Sequence, residues 1–256
     1  MLKSIIRLPI LKRLIPSIYK KYIFFFNNYK KTVLVDNTYF DLDLRHLIDR
    51  RFFFYNSYEE ELFKPLTKII KNYQVSYFFD IGSCWGIYSL RLSNDFKNLK
   101  IIAFDPIKKN IERLKNSISK NNILNIETCK IALGDKKGVV VLGSTETYSP
   151  NYEIGEMRAV VSEECDMNTL DNLYHTIVNN FIFIKIDTEG SELKVLRGAK
   201  KILLNNKVFC QIEIKNNNIE EVFAFLKNND FKLISINKFN KTDYFFSNFY
   251  EESITI

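Results

Sequence analysis

Asp187, Glu189 and Glu192 stand within six residues of one another where an apolar run meets a helix-like one, in FIFIKIDTEGSELKVLRGA, residues 181–199. Ionised carboxylates are among the costliest groups to hold near a core, so acids at the end of a buried strand point to a task. A general base, a pair of metal ligands and a helix cap all use such residues. Side chains two apart on a strand share a face; Asp187 and Glu189 therefore address one site if extended geometry runs through both. Glu192 falls in the first turn of the next helix, where an acid gains about 0.3–1 kcal/mol from the dipole, and its expected role is structural. Glu213, closing KVFCQIEI, is a third candidate catalytic acid, with a salt bridge to Lys185 or Lys215 as its competing role.

A second constellation is FDIGSCWGIYS, residues 79–89, followed by IIAFDPIKKN, residues 101–110. Gly82 permits a turn closed to residues with a Cβ, and Gly86 permits a close approach at the helix start. The spacing is neither G-x-G-x-x-G nor a P-loop. Asp80, two residues before the first glycine, repels phosphate and suits an ammonium group. Asp105 lies about 20 residues beyond the turn, where a carboxylate accepts from ribose hydroxyls in nucleoside-binding α/β folds. Pro106 sets up the following helix, and an Asp before it can equally be an N-cap. Together Asp80 and Asp105 match the amino-acid and ribose ends of S-adenosylmethionine. Trp85 either stacks on that cofactor or packs, and His46 and His175 are lesser candidate bases in helix-like contexts.

The elements that must position these residues alternate. YFFDI, KIIAF, NIETCKIAL, FIFIKI, KVFCQIEI and FKLISI read as strands, separated by the helix-like GIYSLRLS, IKKNIERLKNSISKN, SELKVLRGAKKILL and NIEEVFAFLKNN. Strand–helix alternation predicts an α/β fold, a mostly parallel sheet with helices on both faces, and ligands bind beyond the carboxyl ends of such strands. Residues 138–168 break the rhythm as a hairpin or loop insertion, and TDYFFSNFY reads as an antiparallel edge strand. The expected division is an N-terminal arm and substrate-side segment over residues 1–75 and a catalytic domain over residues 76–256.

Charge limits the partners. The net charge is +7, but residues 1–31 carry eight Lys and Arg and no acid, so the remainder sums to −1. A body without a basic stripe argues against nucleic acid. In the arm, Leu11, Leu14, Ile15, Ile18 and Tyr22 recur at helical spacing between basic residues; this is the pattern of a packing helix or of one lying on an anionic membrane surface. Its apolar runs are too short to span a bilayer. The four cysteines are scattered, with no C-x-x-C pair, so neither a zinc site nor a disulfide framework is encoded and a reducing, cytoplasmic setting is expected, at the inner face of the membrane if the arm docks there.

DIGSCWGIYS, FDP, IALGDKKG, NTLDNL and above all IKIDTEGSELKVLRGA followed by QIEI resemble the FkbM family of S-adenosylmethionine-dependent methyltransferases, over residues 80–213. The resemblance implies a seven-stranded Rossmann-like fold and O-methylation of a sugar or small-molecule hydroxyl. It places Asp80, Gly82, Ser83, Cys84, Trp85, Gly86, Asp105 and Pro106 at the cofactor, with Ile131 and Ala132 on the loop that meets adenine through backbone. Ser83-Cys84 stands where the family frequently has Ala-Asn. Asp187 or Glu189 then serves as base, or the pair holds a divalent metal; Glu213 is the third candidate. A nucleic-acid or protein methyltransferase and a silent cofactor-binding module are the alternatives.

Overall fold

The computed structural model describes residues 18–19, 21–23, 25–145, 160–214, 218–236 and 242–249. They fall into two compact units, Met1–Glu60 with Gly143–Glu163, and Glu61–Leu142 with Glu164–Ile256. Residues 1–17 of the basic arm, 146–159 of the insertion, and Lys215 lie outside the described residues.

In the first unit, β1 (Lys30–Val35) and β2 (Thr38–Asp43) form an antiparallel hairpin. Its two-residue turn is Asp36-Asn37, both left-handed at φ 47° and 59°, which is the type I′ requirement that Asp and Asn tolerate. Alternation along β2 buries Phe40 and Leu42, and Phe40 meets Phe52 of α1 (Leu47–Tyr55) edge-on at 4.7 Å. His46 is the N-cap residue of α1.

The second unit opens with α2 (Glu60–Tyr73), whose Leu62, Phe63, Leu66, Ile69 and Ile70 make one buried stripe. Then come β3 (Tyr77–Ile81), α3 (Ile87–Asp95), β4 (Lys100–Phe104), α4 (Lys108–Lys120), β5 (Ile126–Cys129), β6 (Ala132–Leu133), β7 (Gly138–Thr145), β8 (Val160–Asn168), α5 (Leu170–Tyr174) and β9 (Phe181–Ile186). The chain continues through α6 (Glu192–Gly198), α7 (Lys200–Asn205), β10 (Lys207–Glu213), α8 (Ile219–Lys227), β11 (Lys232–Ile236) and β12 (Asp243–Ser247).

The seven-stranded sheet that the resemblance implies is present, in the order β11-β12-β10-β9-β3-β4-β5. Neighbours from β5 to β10 are parallel, and β12 runs antiparallel to both β10 and β11. The chain winds outward from β3 to β5 and returns to β9 on the other side of β3. Because βαβ crossovers are right-handed, the two directions of winding place their helices on opposite faces. A sheet covered on both faces needs continuously apolar strands, which is why all but the first residue of FIFIKI are buried. Each fully buried Ile or Phe stabilises the fold by about 1.5–3 kcal/mol.

Three readings of the sequence are corrected. NIETCKIAL is two strands: β5 joins the large sheet, whereas β6 pairs with Met167 and Asn168 of β8 in a separate sheet of order β6-β8-β7. SELKVLRGAKKILL is two short helices with a break at Ala199. The strand in TDYFFSNFY is antiparallel, but β12 lies between β10 and β11 and not at the edge; all five of its residues are buried, a pattern an edge position would not supply.

Candidate active site

Strand order reverses between β3 and β9, and the carboxyl ends of the strands at such a reversal are the ligand position of open α/β sheets. On one wall is the turn after β3. The Gly82 and Ser83 N–H groups both donate to Phe104 O, each at 2.9 Å, and Gly86 N–H returns to Ser83 O at 2.8 Å. Gly82 has φ +80°, and a Cβ there would lie 1.8 Å from Asp187 O. The turn after β3 and the loop after β9 are thus pressed together backbone to backbone. Gly86 has φ +78°, and a Cβ would meet Leu114 of α4 at 2.4 Å; the close approach it permits is helix to helix.

Around this turn the polar groups are mostly engaged. Asp105 is 5% exposed; it accepts from Cys84 N–H at 2.9 Å on one oxygen, and from Ile107 N–H at 2.9 Å and Asn110 Nδ2 at 3.0 Å on the other. It therefore holds the start of α4 and the turn after β3 together, with burial pushing its pKa up to about 6 against these bonds. A carboxylate accepts about four hydrogen bonds, so one position remains for a ligand hydroxyl. Pro106 is half-buried beside it. Cys84 is exposed in left-handed conformation at φ 51°. Ser83 Oγ is buried and, among the described residues, has no hydrogen-bond partner. Such an orphan is costly unless a ligand satisfies it, and it stands in the turn that the resemblance assigns to the cofactor. Trp85 is buried, with the Arg113 guanidinium 4.3 Å above its ring; packing accounts for it. Ile131 N–H donates to Cys129 O at 3.0 Å, turning the chain into Ala132 on β6.

Asp80 is 1% exposed and accepts from Ser89 Oγ of α3 at 2.6 Å. Burial raises its pKa, and Lys185, opposite it in register on β9, acts against that rise. Lys185 is the site residue that motif reading treated only as a salt-bridge partner. It is itself buried, its Nζ is 3.0 Å from Asp187 Oδ2, and it lies 5.0 Å from the Tyr88 ring centroid. A lone lysine inside FIFIKI was the available signal, since Lys is almost never buried unless paired.

The acids of 187–192 separate. Extended geometry ends at Ile186, and Glu189 is left-handed at φ 56° with Gly190 at φ 110°, so Asp187 and Glu189 do not share a strand face. Glu189 is exposed on the loop, whereas the Asp187 side chain is 33% exposed at the Lys185 pair. Glu192 is buried, accepting from Gly190 N–H at 2.7 Å and Thr188 Oγ1 at 3.2 Å, and it closes the loop that leads into α6. Glu213 ends β10 and is hydrogen-bonded to Asp187; burial first, then the Asp187 bond and charge and the Asp243 charge, push its pKa up to about 8, with Lys185 opposing. These influences favour the protonated form of Glu213 beside Asp187. Asp243, paired with Glu213 in register, accepts from Gln211 Nε2 at 3.4 Å. Among the described residues no group of three or more His, Cys, Asp and Glu is arranged to hold a metal ion. His175 is exposed at the end of α5.

A cavity of about 810 Å³ opens at the opposite, amino-terminal end of β3 and β4, lined by Lys71, Ser76, Tyr77, Lys97 and Lys100 among others, and it shares none of these site residues.

The Methyltransferase FkbM domain model matches residues 80–233, more than half of the chain. The chain belongs to this family. The FkbM match begins at Asp80 and includes Asp105, Lys185, Asp187 and Glu213. No curated protein matches the chain. Among solved structures, methyltransferase FkbM from Methylobacillus flagellatus KT is similar at 17% identity and TM-score 0.49 over 68% of this chain, and the chain spans 43% of that protein. M. jannaschii TYW2, solved in complex with AdoMet, is similar at 11% identity and TM-score 0.48, covering 86% of this chain and 84% of its own. Human methyltransferase 10 domain containing protein is similar at 11% identity and TM-score 0.49, covering 82% and 88%. The strand order and single antiparallel strand of this FkbM chain are those of a class I methyltransferase sheet.

Proposed function

We propose that the chain is an S-adenosylmethionine-dependent O-methyltransferase acting on a hydroxyl of a sugar or another small molecule, with Asp187 as general base. The observation that carries this is the contact between Gly82 and Asp187: the turn that would hold the donor and the acid that would take the proton adjoin at one switch point. The cofactor, when bound, supplies a methyl group on a strongly electrophilic sulfonium. The remaining acceptor position of Asp105 suits a ribose hydroxyl, Ser83 Oγ suits the amino-acid end, and the backbone at Ile131 and Ala132 suits adenine. Asp80 supports this wall by fixing the first turn of α3 through Ser89.

Lys185 and the Glu213 O–H orient Asp187 from two sides, leaving its exposed part for the acceptor hydroxyl. Asp187 then takes the hydroxyl proton as the oxygen attacks, a contribution of about 10²–10⁴ in rate, while positioning supplies much of the remainder. Glu189, exposed on the same loop, is assigned in this reading to the acceptor side. The −1 balance of the chain beyond residue 31 favours a small acceptor over nucleic acid. Calorimetric titration of S-adenosylmethionine and methyl transfer to a panel of hydroxylated sugars test the reading together. Asp105→Asn should weaken cofactor binding about 10- to 100-fold, as expected for one charged hydrogen bond. Asp187→Asn should keep cofactor affinity and lose turnover. Absence of binding at millimolar cofactor, or full turnover by Asp187→Asn, refutes it.

A further inference from the structure

The segment preceding β1 has helical backbone at residues 18–19, 21–23 and 25. Phe26 N–H donates to Tyr22 O at 3.1 Å, and Asn27, left-handed at φ 50°, follows. At 3.6 residues per turn, Tyr19 and Ile23 share one face, and Ile18, Tyr22 and Phe26 share another. The first face is packed. Ile23 is 1% exposed, and the Tyr19 ring stacks on Phe53 at 5.6 Å and meets Phe54 edge-on at 5.5 Å, both from α1.

The second face is equally apolar and lies open: Ile18 is 59% exposed, Tyr22 52%, Phe25 81% and Phe26 59%. Its rings form one patch, with Tyr22 and Phe26 centroids 4.8 Å apart and Phe25 and Phe26 4.9 Å apart. A surface helix ordinarily turns a polar face to water, and contiguous exposed apolar area marks an interaction site.

Charge identifies the occupant. Residues 1–31 hold eight Lys and Arg and no acid, with Lys21 and Lys30 exposed on either side of the aromatic patch in sequence. A second copy of this surface would set like charge against like, whereas an anionic bilayer offers phosphates to the lysines and an interfacial layer to the rings. Among the described residues no helix is long and apolar enough to cross a membrane, so the segment would lie in the interface. We propose that residues 18–31 are a docking surface for an anionic lipid bilayer, with Tyr22, Phe25 and Phe26 entering the headgroup–acyl boundary and Lys21 and Lys30 meeting lipid phosphates.

The test is sedimentation of the full-length protein with phosphatidylglycerol-containing vesicles and with pure phosphatidylcholine vesicles, alongside sedimentation equilibrium without lipid. Binding should require the anionic lipid and weaken with salt. Lys21→Gln with Lys30→Gln should reduce it about 30-fold at low salt, taking about 1 kcal/mol for each lysine near an anionic surface. Phe25→Ser with Phe26→Ser should abolish it while leaving the circular dichroism spectrum unchanged, since both rings are exposed; should that variant unfold, the lysine pair decides alone. No vesicle binding, equal binding to neutral vesicles, binding indifferent to these substitutions, or a lipid-free dimer that Phe25→Ser with Phe26→Ser dissociates would each overturn the proposal.

Discussion

Replacing Lys185 with Met removes the only cation facing Asp80 and Asp187 from β9 while keeping much of the side-chain volume. Breaking a buried ion pair by deleting one partner costs about 3–5 kcal/mol, because the other charge stays behind. Here Asp187 is one-third exposed and water screens it, which reduces its share, but Asp80 is 1% exposed and loses its counter-charge as well. We expect about 3 kcal/mol at neutral pH from the two together. The pH dependence gives the direction. Asp80 already has a raised pKa in the folded chain, and without Lys185 it rises further, so the folded state holds a proton that the unfolded chain has released. Stability of the variant then falls as pH increases above the unfolded Asp value of about 3.9, and the penalty should be smallest at or below that pH and grow as pH rises. Urea denaturation followed by the fluorescence of Trp85, the single tryptophan and a buried one, measures it. Adding Asp80→Asn should recover at least about 1 kcal/mol, since the uncompensated buried charge is removed. A penalty under about 1 kcal/mol, or one that does not change with pH, would refute the claim that Lys185 balances these acids.

Gly82→Ala should lose cofactor binding and destabilise the fold by well over the roughly 1–2 kcal/mol that a left-handed alanine costs, because its Cβ would lie 1.8 Å from Asp187 O; calorimetry and thermal melting read both effects. Burial, then the Asp187 bond and charge and the Asp243 charge, push the Glu213 pKa up to about 8. Its folded pKa lies above the unfolded value, so the stability it contributes is full below about pH 4.3 and is lost as pH rises through 8. Wild-type turnover should therefore decline above pH 8 as a second charge appears beside Asp187, and Glu213→Gln, which keeps a donor but cannot ionise, should flatten that limb; an unchanged pH profile would remove Glu213 from the site.

Much of the frame was legible because its physics is local. YFFDI, KIIAF and FIFIKI are apolar for most of their length, as strands covered on both faces must be, and they occupy those residues in the structure. Gly82 announced a turn closed to residues with a Cβ and has positive φ; at Gly86 only the close approach was legible, and its positive φ was not. Pairing was not legible. Nothing within DYFFS distinguishes an edge strand from β12, whose neighbours are 30 or more residues earlier in β10 and about ten earlier in β11. The shared strand face expected of Asp187 and Glu189 is absent for a related reason: extended geometry ends at Ile186, three residues before Glu189, and Gly190 beside it was the turn signal. Asp171 shows the same limit. Thr169 caps its own helix by accepting from Asn172 N–H at 3.0 Å, whereas the Asp171 carboxylate accepts from Lys201 and Ile202 N–H at 2.8 and 2.9 Å and caps α7, a pairing its local sequence does not announce.

The cost of placing so many acids at one strand end is met in three different ways. Glu192 is held on one oxygen by the loop it closes, through Gly190 N–H and Thr188 Oγ1, while its buried Oε2 has no partner among the described residues. Glu213 lessens the cost because its raised pKa favours the neutral form. Asp187 keeps a cation on one side and a donor on the other, and only its outer part meets water. Asp80, Asp187 and Asp243 still outnumber the single Lys185 in this group, so the crevice carries an excess of negative charge. That excess favours a cationic ligand such as a sulfonium and disfavours a polyanion.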